Sequence, residues 1–89
     1  MPTFIIEREI PGASALTRQE IADITTKSNG VVAGLGVPYR WVTSYVAGDK
    51  IYCVHETDEV GTILDHARLG CFPADLVAEV AEQFGPDFR

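Results

Sequence analysis

The stretch Arg40–Glu56, R-W-V-T-S-Y-V-A-G-D-K-I-Y-C-V-H-E, decides the fold. Two runs rich in β-branched and aromatic residues, Arg40–Ala47 and Lys50–Glu56, flank the dipeptide Gly48-Asp49. A Gly-Asp pair permits the tight backbone turn that joins two antiparallel strands. The stretch therefore predicts a β-hairpin.

A strand and a helix precede this hairpin. Thr3–Ile10 is rich in β formers and ends at the turn signal Pro11-Gly12. The segment Thr17–Glu20, T-R-Q-E, matches a capping box and predicts a helix that starts at Thr17. Gly34 and Gly36 are expected to end this helix.

A second helix and a last strand are predicted after the hairpin. Asp58 is expected to cap the helix and Gly70 to end it, and Leu76–Ala81 supplies the strand. The resulting order, β-α-β-β-α-β, is the split pattern of a ferredoxin-like sandwich in the α+β class. A chain of 89 residues suffices for one such domain, which we expect to span residues 1–89.

Apolar residues occur on both faces of the predicted sheet. In the second strand, Trp41 and Tyr45 alternate with Val42 and Val46. Two helices in this topology cover only one face, so the other face requires a further cover. The simplest cover is a second copy of the chain, which predicts a homodimer.

Charge and hydropathy limit the classes of partner. The chain carries 13 acidic and 7 basic residues, a formal net charge of −6. Nucleic acids and anionic membranes attract clustered Lys and Arg, so neither is expected as a partner.

No apolar run approaches the roughly 20 residues of a spanning helix, and the start Met1-Pro2-Thr3 lacks the basic residues of a signal peptide. The expected location is cytoplasmic.

Both histidines of the chain are candidate metal ligands. His55 follows Cys53 by two positions, so the two side chains project to one face of the third strand. Neutral imidazole and thiolate bind nickel, zinc or copper well, but a stable site needs three or four ligands. His66 and Cys71, at the end of the second helix, or Glu7, on the neighbouring strand, could complete the set only if the fold brings them together. The alternative is structural, with His55 hydrogen-bonded at the sheet edge and His66 stabilised by the helix dipole.

A small-molecule pocket is the second functional pattern. Ser28 falls in the middle of the apolar face of the first helix, and Glu7 and Arg8 place two charges in a central strand. Trp41 and Tyr45 add aromatic surface with polar tips. Together these five residues predict a partly polar cavity lined by aromatic rings.

Structural roles for the same residues stay open at this point. Ser28 can bond the carbonyl four residues back in its own helix, and Arg8 can pair with Glu56. Trp41 can belong to a dimer core, and Cys53 can be a small buried apolar residue.

Five segments are distinctive: T-F-I-I-E-R-E-I-P-G (Thr3–Gly12), K-S-N (Lys27–Asn29), W-V-T-S-Y-V (Trp41–Val46), D-K-I-Y-C-V-H-E (Asp49–Glu56) and H-A-R-L-G-C-F-P-A-D (His66–Asp75). They resemble a bacterial family of small proteins whose function was long unknown and of which one member is described as nickel-binding. The resemblance implies a dimeric ferredoxin-like α+β barrel and a bound nickel ion. It matches His66 to a family ligand, whereas Phe72 stands where metal-binding members carry a histidine.

Two hypotheses follow for function. The first is a small homodimeric protein that binds Ni²⁺, or another divalent transition metal, through His66, His55, Cys53 and Glu7. The second is a barrel that binds a small molecule in a pocket formed by Glu7, Arg8, Ser28, Trp41 and Tyr45. By analogy of fold, the second includes a cofactor-independent enzyme of the monooxygenase or isomerase type, with Glu7 as acid or base.

Overall fold

The computed structural model describes all 89 residues and shows a four-stranded sheet with two helices on one face. The elements are β1 (Thr3–Glu9), a single 3₁₀ turn (Ala13–Ala15), α1 (Arg18–Gly34), β2 (Tyr39–Ala47), β3 (Lys50–Thr57), α2 (Val60–Gly70) and β4 (Leu76–Glu79). The strands lie in the order β2-β3-β1-β4, and every neighbouring pair is antiparallel. The predicted ferredoxin-like α+β fold is confirmed. Neither helix is long and apolar enough to cross a membrane.

Local signals at α1 and at the hairpin act as predicted. The Thr17 hydroxyl accepts a hydrogen bond from the Glu20 amide at 3.1 Å, and the Glu20 carboxylate accepts one from the Thr17 amide at 2.9 Å. This reciprocal pair satisfies two of the free amides at the start of α1. In the hairpin turn, Gly48 adopts φ +60°, a conformation that favours glycine.

The ends of α2 differ from the prediction. Glu59 occupies the N-cap instead of Asp58, and its side chain makes no capping hydrogen bond. Gly70 is the last helical residue, and Cys71, with φ +55°, forms the left-handed cap. Gly70 is needed for a tertiary reason, because a Cβ there would lie 2.3 Å from the Phe72 ring. β4 is also shorter than expected and ends at Glu79.

A β-bulge in β2 changes the side of the sheet on which its residues lie. Trp41 pairs with His55, but Thr43 pairs with Val54, so Val42 is the extra residue. A bulge shifts the alternation by one position. Trp41 therefore faces the helices whereas Tyr45 faces away, and the prediction that they share a face is wrong.

The core lies between the sheet and the helices. Phe4, Ile6, Ile51 and Ile63 are its largest members and are almost completely buried. The opposite side of the sheet, called here the outer face, carries no helix. Its exposed apolar side chains include Ile5, Val42, Tyr45 and Leu76.

Candidate ligand-binding cavity

A cavity of about 130 Å³ lies between α1 and the helix-facing side of the sheet. For comparison, a protein cavity of about 150 Å³ holds a benzene molecule. Ile21, Ile24 and Ser28 of α1 face the cavity. Its other polar lining residues and its aromatic rings are Arg8, Thr25, Ser44, Cys53, His55, His66, Trp41 and Phe72.

Alternation along the strands brings most of the predicted site residues to this cavity. On β3, Cys53 and His55 are separated by one residue and both face the helices, as predicted. On β1, Arg8 faces the same way as Ile6. His66 and Ser28 approach from α2 and α1.

Glu7 and Tyr45 do not reach the cavity. Glu7 lies between the inward-facing Ile6 and Arg8, so its side chain projects from the outer face. There its carboxylate binds the Lys50 amine at 2.6 Å. Tyr45 is 61% exposed on the same outer face because of the bulge. The prediction that Glu7 and Tyr45 line the pocket is therefore wrong, and Glu7 does not lie near the other predicted metal ligands.

The two histidines lie side by side in the core. Their ring centroids are 5.1 Å apart, and each side chain is only 1% exposed. Nε2 of His66 lies 2.9 Å from the Ser28 hydroxyl, and Nδ1 of His55 is hydrogen-bonded to the Tyr39 hydroxyl. Ser28 therefore bonds across the two helices and not to its own helix, which was the alternative left open by the sequence.

Burial keeps both imidazoles neutral. Desolvation, followed by the neighbouring His66 and Arg8, lowers the pKa of His55 to about 3. Desolvation and Arg8 lower the pKa of His66 to about 4. Nδ1 of His66 is buried without a hydrogen-bond partner, which is uncommon for a polar atom in a core.

Tyr39 determines which nitrogen of His55 carries the proton. Desolvation raises the pKa of the Tyr39 phenol, which therefore stays protonated. Its only hydrogen bond is to Nδ1 of His55, so donation in that direction satisfies both groups. The proton of His55 then resides on Nε2.

Arg8 is a buried cation without a carboxylate partner. It is 3% exposed, and none of the ion pairs in the structure involves it. Its Nη1 donates to the Pro73 carbonyl at 2.6 Å, and its guanidinium carbon lies 5.5 Å from the centre of the Phe72 ring. The alternative pairing with Glu56 is wrong, because Glu56 binds Arg40 at 3.1 Å.

Cys53 accepts hydrogen bonds from two sides. Nε of Arg8 lies 3.5 Å from its sulfur, and the Ser44 hydroxyl lies 3.1 Å from it. The indole N–H of Trp41 donates to Ser44 at 2.8 Å and so orients that hydroxyl. Trp41 therefore belongs to the cavity wall and to the hydrogen-bond chain that ends at Cys53.

Three residues of this site were missed from the sequence. Tyr39 precedes Trp41 by two positions, and strand alternation was sufficient to place it on the same face. Ser44 reaches Cys53 only because of the bulge, for which the sequence carries no clear signal. Phe72 stacks on His66 with 5.4 Å between ring centroids, a contact that depends on the tertiary approach permitted by Gly70.

A stable nickel site needs three or four convergent donor atoms. No three His, Cys, Asp or Glu side chains converge closely enough to hold a metal ion. The Cys53 sulfur is engaged by Arg8 and Ser44, and the Arg8 cation opposes a divalent cation in the same cavity. In this arrangement the residues do not fit nickel.

The chain is similar to one solved structure and to one protein-family model. Among solved structures, the crystal structure of SCO4226 from Streptomyces coelicolor A3(2) matches with a TM-score of 0.74 at 15% identity, over 92% of this chain and 99% of that one. This likeness shows the fold alone. No curated protein sequence matches. The family model described as nickel responsive protein SCO4226-like matches residues 4–80, most of the chain, which therefore belongs to the SCO4226-like family of nickel responsive proteins.

Proposed function

We propose that this member of the nickel responsive family binds a small ligand in the cavity between α1 and the sheet. The observation that carries the proposal is the convergence of Arg8, His55 and His66 on one cavity in the core. Buried polar groups that lack hydrogen-bond partners cost stability, and Nδ1 of His66 is such a group. Sites of this kind, with apolar walls and a few convergent polar groups, are typical of small-molecule binding.

The packing of α1 supports ligand entry at this place. Ser28 is the only buried residue of the helix, and Ile21 is 41% exposed although it belongs to the inner face. The helix thus contacts α2 at Ser28, through His66, and leaves a space between its inner face and the sheet. A ligand that fills this space would bury more of Ile21 and Ile24, which favours binding.

Trp41 provides a direct test, because it is the only tryptophan and it lines the cavity. Small acids, amides and aromatic compounds are added one at a time, and Trp41 fluorescence and the thermal midpoint are recorded. We expect at least one class to change the fluorescence and raise the midpoint. Ile24→Phe, which narrows the cavity, should abolish the response, whereas Ala22→Phe on the exposed side of α1 should not. Absence of any response, or an unchanged response in Ile24→Phe, contradicts the proposal.

Nickel binding is the second candidate, and two observations favour it. The chain belongs to a nickel responsive family, and Nδ1 of His66 is a buried donor atom with no partner. His66, His55 and Cys53 are the side chains that would hold the ion, since neutral imidazole and thiolate are suitable ligands for it. Binding would require these side chains to move closer together and the Cys53 sulfur to leave Arg8.

Calorimetric titration of reduced, metal-stripped, tag-free protein with Ni²⁺ at pH 7.5 tests this candidate. A site with several protein ligands should bind with a sub-micromolar Kd, about −8 kcal/mol or better. His66→Ala should remove the binding, and Glu7→Gln, on the outer face, is the matched control. Weak binding, or equal binding in the parent and His66→Ala, contradicts a nickel site in the cavity.

We also propose that the outer face forms a homodimer interface. The exposed apolar side chains of this face, with no helix above them, support the proposal. Tyr45→Glu should shift sedimentation equilibrium toward the monomer, while Arg18→Glu at the exposed start of α1 should not. Even a weak dimer, with a Kd of about 10 μM, would be mostly dimeric at a protein concentration of roughly 100 μM. A parent protein that sediments as a monomer at that concentration therefore contradicts the proposal.

A further inference from the structure

We propose that the ligand of the cavity is a small organic monocarboxylate with an apolar tail, held by Arg8. This inference rests on the proposed ligand-binding function and specifies the chemical class of the ligand. Its starting point is the unbalanced charge of the cavity. Arg8 is the only charged residue among the lining residues, because both histidines are neutral and no Asp or Glu reaches the cavity. A single buried cation is unfavourable until an anion joins it.

Arg8 retains hydrogen-bonding capacity for such an anion. Its Nε and Nη1 are engaged by Cys53 and Pro73, whereas Nη2 makes no hydrogen bond. Because Arg8 lines the cavity, its unbonded Nη2 is the nitrogen that the proposal assigns to the ligand.

His55 supplies a second donor. Its Nδ1 accepts from Tyr39, so Nε2 carries the proton. Nε2 makes no hydrogen bond within the protein, and His55 lines the cavity. A guanidinium nitrogen and an imidazole N–H that line the same cavity are donors of the kind that the two oxygens of a carboxylate accept.

The size and the walls of the cavity restrict the rest of the ligand. A volume of about 130 Å³ is slightly below the ~150 Å³ that holds benzene, so the ligand has roughly six to eight non-hydrogen atoms. Ile21, Ile24, Val46 and Ile51 are apolar walls, which favour a short hydrocarbon tail. A dianion such as phosphate would leave one charge unpaired in the core, since Arg8 supplies only one positive charge.

Matched pairs of acids and amides test the inference. Trp41 fluorescence is titrated with propionate, butyrate, isovalerate and hexanoate, and with the corresponding neutral amides, at constant chloride concentration. We expect at least one carboxylate to bind ten times more tightly than its amide. Arg8→Met should abolish this difference while it retains the weak amide binding, and Arg8→Lys should restore part of it. Circular dichroism confirms that each variant is folded.

The outcomes separate this inference from the proposed function. Amides that bind as tightly as the acids, or an acid preference that persists in Arg8→Met, overturn the carboxylate assignment and leave the cavity as a ligand site. If Arg8→Met is unfolded, the parent comparison of isovalerate with isovaleramide, together with loss of both in Ile24→Phe, decides the question. Failure of both series to bind overturns the inference and the cavity function together for ligands of this size.

Discussion

Glu7 and Arg8 are neighbours on one strand, yet the two sides of the sheet treat their charges differently. The Glu7 carboxylate lies on the outer face, 22% exposed, and binds Lys50 at 2.6 Å. Arg8 points toward the helices, is 3% exposed and has no carboxylate partner. The charge of Glu7 is balanced by Lys50 of the protein itself. The charge of Arg8 is not balanced by any carboxylate of the chain, so a bound anion could balance it. The pairing of a charge, more than its position in the sequence, indicates which side of the sheet carries the site.

The same contrast extends over the two faces. The side toward the helices holds both histidines and the cysteine that accepts a hydrogen bond from Arg8, all buried. The outer face exposes apolar side chains such as Ile5 and Leu76. Buried polar groups without enough partners reduce stability, while exposed apolar groups leave stabilisation unused. One face is thus suited to a small ligand, and the other to a protein surface.

A fall in pH should have the largest effect on stability, and this effect should come from the two buried histidines on the side of the sheet that faces the helices. The pKa values of His55 and His66 in the folded protein, about 3 and about 4, lie below the ordinary 6.5, so the unfolded chain binds more protons below pH 6.5. The stabilisation is complete above pH 6.5 and is lost as the pH falls toward the folded pKa values. At about 1.4 kcal/mol per pH unit for each group, the free energy of unfolding should drop by roughly 4 kcal/mol between pH 7 and pH 5.

Urea unfolding at half-unit pH steps measures this effect. The chain has only two histidines, so no other imidazole contributes in this range. The variant with His55→Phe and His66→Phe should show a much flatter profile between pH 7 and pH 5. A parent stability that is constant over this range would mean that the inner face tolerates charged histidines, and the contrast between the faces would fail.

Gly70→Ala should have the next largest effect, because it acts on the wall of the cavity. The new Cβ would lie 2.3 Å from the Phe72 ring, which must move away from its stack on His66. Overpacking of this kind costs about 1–3 kcal/mol, measurable by urea unfolding. Gly61→Ala in the same helix is the matched control, since its Cβ meets nothing within 4 Å and should stabilise by about 0.5–1 kcal/mol. Equal effects of both substitutions would show that Phe72 is not held against α2.

Sequence reasoning recovers the fold better than the site because the two depend on signals of different range. The Thr17–Glu20 capping box and the Gly48-Asp49 turn are local, and both occur as predicted. Alternation on β3 also places Cys53 and His55 together correctly. The prediction that Glu7 and Arg8 line one pocket is wrong because adjacent residues of a strand face opposite sides of the sheet. Strand alternation alone is therefore sufficient to exclude one of the two from the cavity.

Other parts of the site depend on tertiary contacts. The bulge at Val42, which brings Ser44 to Cys53 and turns Tyr45 outward, leaves no mark in the pattern of apolar residues. The closeness of His55 to His66 depends on how α2 lies on the sheet, which no spacing within either element specifies. The sequence pattern indicates that Gly70 ends a helix. In the structure its lack of a side chain also leaves room for the Phe72 ring.

Arg8→Met should raise the free energy of unfolding, by less than Gly70→Ala lowers it. Methionine has a similar length and removes a buried charge that no carboxylate balances, so the free energy of unfolding should rise by about 1 kcal/mol without ligand. Urea unfolding at pH 7 measures the change. A decrease of about 2 kcal/mol or more would show that the hydrogen bonds of Arg8 to Pro73 and Cys53 already stabilise the buried guanidinium without a ligand.

Glu7→Gln should have the smallest effect, because its ion pair with Lys50 lies at the surface and is screened by salt. The urea midpoint should fall, by less than Arg8→Met raises it, and 1 M NaCl should remove the difference from the parent. The hydrogen bond and the charge of Glu7 raise the pKa of the Lys50 amine, so that pKa should return toward its ordinary value in the variant, as followed by NMR. If Glu7→Gln instead raised stability and kept that effect in 1 M NaCl, its charge would be as unbalanced as that of Arg8. The outer face would then have to be considered as a second site for a ligand.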